Sequence, residues 1–229
     1  MSQKYYVRDV KPTSRPPGRV CPGGAGMIIG IDWNNTLQDQ LAEIIRQTYL
    51  LYGAALNRND FSTWDAMLGD RIGVDNDTFT AWAWKSDKIQ QQARPFPWAK
   101  EVVRLLYQQY TIKIITSSCH PQVAEGWLYR HGIPYHELIS TSDKGSIEWD
   151  VLIDDNPITL ETLCVERHVL RYELPWNAHL HHIPAVTGWN LALIHRLEDI
   201  AQIIALNSSK ITVSGAANVP VLLNKGGVK

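Results

Sequence analysis

The sequence predicts an α/β protein, a parallel sheet flanked by helices with a small helical insertion behind its first strand. Short continuous apolar runs, Met27–Ile31, Ile112–Ile115 and Val151–Ile153, each end in a polar cluster. That is the pattern of strands buried on both faces of a parallel sheet. Segments of helical spacing alternate with them, which implies right-handed crossovers. A chain of 229 residues, 45% of them hydrophobic, is also long enough to bury one sizeable core. In such sheets ligands bind beyond the carboxyl ends of the strands, where all three polar clusters fall.

Taken in order, residues 1–26 carry Pro12, Pro16, Pro17, Pro22 and the run Gly23-Gly24-Ala25-Gly26 without apolar periodicity. They read as an extended N-terminal arm or a disordered leader. The first strand then runs into Asp32. Residues 41–94 read as an inserted helical cap, opening with a helix over Leu41–Leu56 and continuing through Phe61, Trp64, Phe79, Trp82 and Trp84. These aromatics either form the cap's own small core or stack on a planar substrate. The core, residues 27–40 and 95–206, resumes with a helix over Trp98–Tyr110 whose Val102, Val103, Leu105, Leu106 and Tyr110 share a face. A strand into Thr116-Ser117-Ser118, a helix over Pro121–His131 and a strand into Asp154-Asp155 follow. The last helix, Leu191–Leu206, turns Leu193, Ile194, Leu197, Ile200, Ile203 and Ile204 to one side. Residues 207–229, rich in Gly, Ser and Asn, read as an appended strand or a disordered tail.

Charge is nearly balanced, 22 Lys+Arg against 23 Asp+Glu, for a formal net charge of −1. Polymeric nucleic acid is therefore not an expected partner. No apolar run approaches the roughly 18 residues of a membrane span, so no membrane contact is expected. Cys21, Cys119 and Cys164 are too few and too scattered for a disulfide framework or a zinc site, which fits a reducing, cytoplasmic setting.

Four chemical features occur in a fixed order: Asp32 in Asp-Trp-Asn-Asn-Thr-Leu, Thr116, Lys144 and the pair Asp154-Asp155. Together, over about residues 27–175, they resemble the haloacid dehalogenase superfamily of phosphotransferases, whose core is Rossmann-like. Thr116-Ser117, the step from Lys144 to Asp155, the run Leu152-Ile153-Asp154-Asp155-Asn156-Pro157 and the later Pro175-Trp176-Asn177 resemble its 5′(3′)-deoxyribonucleotidase branch. The resemblance implies a Mg²⁺-dependent phosphatase of nucleoside 5′-monophosphates, with Asp32 as nucleophile. Asp32, Asp155 and the main-chain carbonyl of Asn34 would hold the metal through oxygen. Asp154 would orient Lys144 or a metal-bound water. Thr116, Ser117, Lys144 and the backbone around Asn35 would grip the phosphate, and Phe61, Trp64, Trp82 and Trp84 would wall the base. A homodimer is left open as the assembly.

Asn34 departs from the family pattern, which has aspartate there. That residue protonates the leaving alkoxide and then activates water, and an amide does neither. Acid–base assistance is worth about 10²–10⁴ in rate, so chemistry should slow while recognition survives. Three explanations stay open: an introduced substitution, a natural enzyme that uses a good leaving group or another acid such as a histidine, or a nucleotide- or phosphate-binding protein without turnover. A hydrolase acting on something other than a phosphomonoester is a further alternative.

Other residues are weighed more simply. His179, His181 and His182 read as a polar loop near the site mouth rather than metal ligands. His120 either lines the phosphate pocket or caps the next helix. Cys119 reads as a small packing residue. Trp33 should point away from the metal, walling the pocket or packing under the cap.

Overall fold

The structure is a computed structural model and describes residues 5–7, 26–64, 66, 68–118 and 120–215. Seven strands form one sheet: β1 (Tyr5–Val7), β2 (Ile28–Ile31), β3 (Thr111–Thr116), β4 (Glu137–Ser140), β5 (Val151–Asp154), β6 (His168–Tyr172) and β7 (Ala185–Val186). Their spatial order is β1-β4-β3-β2-β5-β6-β7. All pairings are parallel except that of β1, which runs antiparallel along β4 with Tyr5 opposite Ser140 and Val7 opposite Leu138. Part of the expected N-terminal arm is thus an edge strand. The rest of it lies outside the described residues.

The strands are continuously apolar because both faces are covered. Ile112, Ile114, Val151 and Ile153 enter one buried cluster, while Ile115 and Leu152 enter the other. Successive side chains alternate faces, so apolar residues are called for at both positions; Lys113, in β3, is the buried exception and reaches Glu137 at 3.6 Å. In β2, a Cβ on Gly30 would come within 3.0 Å of Ile115 Cδ1 and 3.1 Å of Leu152 Cδ1, so any larger residue would make those side-chain ends shift, and glycine lets them close over the strand as they stand.

Between β2 and the core helix α5 (Ala99–Tyr107) lie α1 (Gln40–Tyr52), α2 (Gly69–Ile72), α3 (Asn76–Lys85) and α4 (Asp87–Gln92). Asp39 caps α1 by accepting from Ala42 N, and Gly53, at φ 67°, ends it in the left-handed conformation. The chain leaves and re-enters the core along one seam. Asp39 N donates to Arg94 O at 2.8 Å and Phe96 N to Leu37 O at 3.0 Å. The returning segment is fixed to α6 (Pro121–His131), where Trp127 Nε1 donates to Ala93 O at 2.7 Å.

α7 (Pro157–Leu163) follows β5, and α8 spans Leu191–Gly215. The last helix therefore continues past Leu206 into the segment expected to be a tail. Asn207, Ser208 and Ser209 are modest helix formers, but no proline interrupts them, and propensity alone does not stop a helix already packed upstream. Residues 216–229, including Val219–Leu223, lie outside the described residues. Among the described residues no helix is long and apolar enough to cross a membrane.

Candidate active site

β3 and β4 lie on one side of β2, and β5, β6 and β7 lie on the other. The loops after β2 and β5 therefore diverge, opening a crevice at the carboxyl edge of the sheet. Asp32 follows β2 directly and Asp154 ends β5, so the topology places the two acids side by side. Asp32, Asp154 and Asp155 each turn a carboxylate oxygen into one cluster whose atoms lie within 4.8 Å of one another, and all three residues are buried.

Lys144, in a single turn of 3-10 helix over Lys144–Ser146, fills the centre of this cluster. Its Nζ donates to Asp32 Oδ1 at 2.5 Å and to Asp154 Oδ2 at 2.7 Å. Burial pushes the Asp32 carboxyl up to about 7; Lys144 opposes that rise and Asp154 adds to it. Burial likewise raises Asp155 well above the ordinary carboxylate range, with Asp32 and Asp154 adding like-charge repulsion. For Lys144 burial works against the charge, yet Asp154 and Asp32 outweigh it and hold the ammonium protonated. Three carboxylates against one ammonium leave excess negative charge in a dry place, and oxygen donors at this spacing fit a hard divalent cation.

The loop after β2 and the turn after β6 hold the cluster in place. Asn35 takes the left-handed conformation at φ 55° and its Oδ1 accepts from Leu41 N at 2.9 Å. Thr36 Oγ1 donates to Asp155 Oδ1 at 3.3 Å, and Trp189 Nε1 donates to Thr36 O at 2.8 Å. Pro175-Trp176-Asn177 clamps Asp155 from behind. Trp176 Nε1 donates to Asp155 O at 3.2 Å and Asn177 Nδ2 to the same oxygen at 2.7 Å.

Asn34 lies in a chain of hydrogen bonds whose direction is fixed. Gln40 Nε2 donates to the main-chain carbonyls of Ala83 at 3.0 Å and Trp84 at 3.2 Å. Carbonyls only accept, so Gln40 Oε1 must face the other way, where Asn34 Nδ2 donates to it at 2.7 Å. Asn34 Oδ1 then accepts from Thr116 Oγ1 at 3.2 Å. Both ends of the Asn34 amide are occupied. Thr116 is itself fully buried and directs its proton to Asn34, so Ser117 and Ser118 are the residues of that turn that line the cavity.

A cavity of about 680 Å³ stands over the cluster, lined by Asp32, Asn34, Asn35, Lys144, Asp154 and Asp155 at its floor. Its wall carries Trp64, Trp84 and Trp176, with Trp176 meeting each of the other two edge-on at 5.9 Å. Of the four aromatics expected at the substrate wall, Phe61 and Trp82 are elsewhere: Phe61 is buried and does not line the cavity, and Trp82 packs on Tyr52 and Phe79, both at 5.8 Å. Phe61 and Phe79 are buried in the same apolar cluster as Ile31 and Leu41, whereas Trp64 and Trp84 line the cavity. Trp176, Ser118 and Gln40 were not among the expected site residues. For Trp176, which lies four residues after the end of β6, the signal was the run Pro175-Trp176-Asn177.

His179, His181 and His182 are exposed and do not line the cavity. Trp33 is fully buried edge-on against Trp127 at 6.0 Å, away from the site. Cys119 lies outside the described residues. A second groove, about 880 Å³ and lined by Asp39, Glu43, Arg46, Arg94, Arg130 and His131 among others, contains none of the clustered acids.

Fold and site together define a hydrolase of the haloacid dehalogenase superfamily, of phosphatase type. Residues 26–202 match the model of the 5′ nucleotidase, deoxy (Pyrimidine), cytosolic type C protein family, and the chain belongs to that family. No curated protein matches the sequence closely. Among solved structures, YfnB of Bacillus subtilis, a HAD-hydrolase bound to magnesium, shares the fold at 14% identity and a TM-score of 0.50, covering 76% of this chain and 99% of its own. The haloacid dehalogenase-like protein SP0104 of Streptococcus pneumoniae, also 14% identical, aligns at a TM-score of 0.49 over 74% of this chain and 97% of its own.

Proposed function

We propose that this chain is a Mg²⁺-dependent phosphatase of small phosphomonoesters, nucleoside 5′-monophosphates foremost, working through an aspartyl-phosphate on Asp32. The observation that carries the reading is the cluster itself: a lysine ammonium 2.5 Å from a buried carboxylate, flanked by two further acids, on the floor of a tryptophan-walled cavity. Asp32, Asp155 and the main-chain carbonyl of Asn34 would hold Mg²⁺. When bound, the ion masks the charge on the phosphate oxygens. Asp32 supplies the attacking oxygen, which is an adequate nucleophile once that charge is masked. Asp154 fixes Lys144 so that its ammonium faces both Asp32 and the transferring group, and Ser117, Ser118 and the amides near Asn35 supply donors. Trp64, Trp84 and Trp176 offer flat faces and edges to a base. A monomeric substrate suits a cavity of this size better than a polymer.

Asn34 cannot carry the proton steps, because its amide has no titratable proton at useful pH and is tied between Thr116 and Gln40. That tie favours one second reading, a nucleotide-binding protein without turnover. Phosphate release from a panel of nucleoside monophosphates with Mg²⁺, comparing this chain with Asn34→Asp, decides between them. Gln40 Oε1 still needs a donor in the variant, and only a protonated Asp at 34 provides one, which is the form a general acid requires. Asn34→Asp is therefore expected to release phosphate faster by about 10² or more. Tight binding of nucleotide with no release by either form overturns the phosphatase reading.

A further inference from the structure

Asn34 cannot supply a proton, and one histidine, His120, lines the same cavity. His120 lies in the turn between β3 and α6, and it is the residue before Pro121 at the helix start. No side-chain cap bond forms there, so helix capping does not explain the imidazole. Instead Nδ1 sits 2.6 Å from Asp87 Oδ1, at the first residue of α4 in the insertion. A carboxylate only accepts, so Nδ1 carries the hydrogen and Nε2 is the nitrogen left for exchange. A histidine held through one nitrogen by a carboxylate, with the other turned to chemistry, is the usual arrangement of a proton carrier.

The titratable side chains lining the cavity are Asp32, Lys85, His120, Lys144, Asp154 and Asp155. Asp32 and Asp154 share Lys144, and Asp155 belongs to the same buried acidic cluster. A lysine ammonium in general gives up its proton far above neutral pH. Imidazole exchanges one in either direction near neutrality. The groups facing His120 are Asp87 on α4, and across the cavity Lys85 on α3 and the cluster around Lys144.

Resting on the phosphatase reading, we infer that His120, oriented by Asp87, is the proton-transfer group of this site. In the first half-reaction an Asp32 oxygen bonds to phosphorus as the ester P–O bond breaks. The departing alkoxide takes the proton from Nε2 of the imidazolium. In the second, neutral Nε2 takes a proton from water as the water oxygen bonds to phosphorus. The bond between Asp32 and phosphorus then breaks, releasing inorganic phosphate and restoring both residues.

The test is His120→Gln, made in this chain and in Asn34→Asp, with a nucleoside monophosphate and with p-nitrophenyl phosphate, whose leaving group needs no acid. In this chain His120→Gln is expected to lower nucleotide turnover by about 10². With p-nitrophenyl phosphate it should give a burst of about one nitrophenolate per site and then stall as phosphoenzyme. Asn34→Asp should restore phosphate release to the His120→Gln chain, which a merely structural defect would not permit. Asp87→Asn should shift the pH profile of kcat/KM, with His120→Gln flattening the same limb. Turnover within about threefold of the unaltered chain, or an equal loss in both backgrounds, overturns the role of His120 alone. No turnover of either ester by the unaltered chain and by Asn34→Asp overturns the phosphatase reading, and this inference with it.

Discussion

At the scale of single residues the site turns on which atom can give or take a proton. Asp32 bonds to Lys144 and stands among the other acids, so replacing it with an amide keeps the shape and removes the nucleophilic charge. Asp32→Asn is expected to abolish phosphoenzyme formation while leaving nucleotide affinity within about tenfold, because the phosphate donors and the aromatic wall remain. Acid-quench trapping with a labelled substrate checks the first part and calorimetric titration the second; labelling that persists in the variant removes Asp32 from the role. The identity of these residues was legible in the sequence because each sits at a strand end or a fixed step from one. Their partners were not. Gln40 and Ala83 are 43 residues apart and meet only because the insertion folds back, and the proton of Thr116 goes to Asn34 through a contact of 82 residues' separation.

At the scale of elements, the strands read from sequence were those sealed on both faces. β6 escaped notice because Arg171 interrupts its apolar run. Folding makes that arginine acceptable: it is buried, and its Nη1 donates to Asn177 O at 3.1 Å and Asn177 Oδ1 at 3.3 Å. β7 is two residues long, too short for any periodicity to register, and β4 holds only Leu138 and Ile139 between Glu137 and Ser140, so it shows no apolar run. Asn177 ties this half of the molecule together, donating to Asp155 O and Tyr172 O and accepting from Leu174 N and Arg171. Asn177→Ala would strand several buried polar groups at once. A loss of about 2–3 kcal/mol is expected, read from the denaturant midpoint at unchanged m. A change under about 0.5 kcal/mol would mean that the turn after β6 is held by Pro175 and Trp176 instead. The three-tryptophan wall belongs to this scale too. Trp64 and Trp84 come from the insertion and Trp176 from the core, so no local pattern could have told Trp84 from its neighbour Trp82.

For the whole molecule, the cluster couples folding to pH and, on the proposed reading, to a divalent cation. Asp32 is raised from 3.8 to about 7, and Asp155 is raised as well, so the folded chain binds more protons than the unfolded one across this interval. A raised carboxyl contributes stability that is fully present below its unfolded value and is lost as pH climbs through its folded value. Without metal, stability from these two groups should therefore fall between about pH 4 and pH 8. A divalent cation reverses the sign of that trend, because it binds the carboxylates only after displacing their protons and binds the folded chain in preference. Thermal unfolding at pH 5 and pH 8, each with and without millimolar Mg²⁺, reads both effects at once. The expected result is a shift of several degrees upward on adding Mg²⁺ at pH 8 and little at pH 5. Asp155→Asn should remove most of the pH 8 shift and raise the metal-free midpoint there, since one of three crowded charges is gone. A Mg²⁺ shift of the same size at both pH values would place the ion away from this cluster. No shift at either would leave Lys144 as the sole counter-charge in a site the fold has made too negative for it alone.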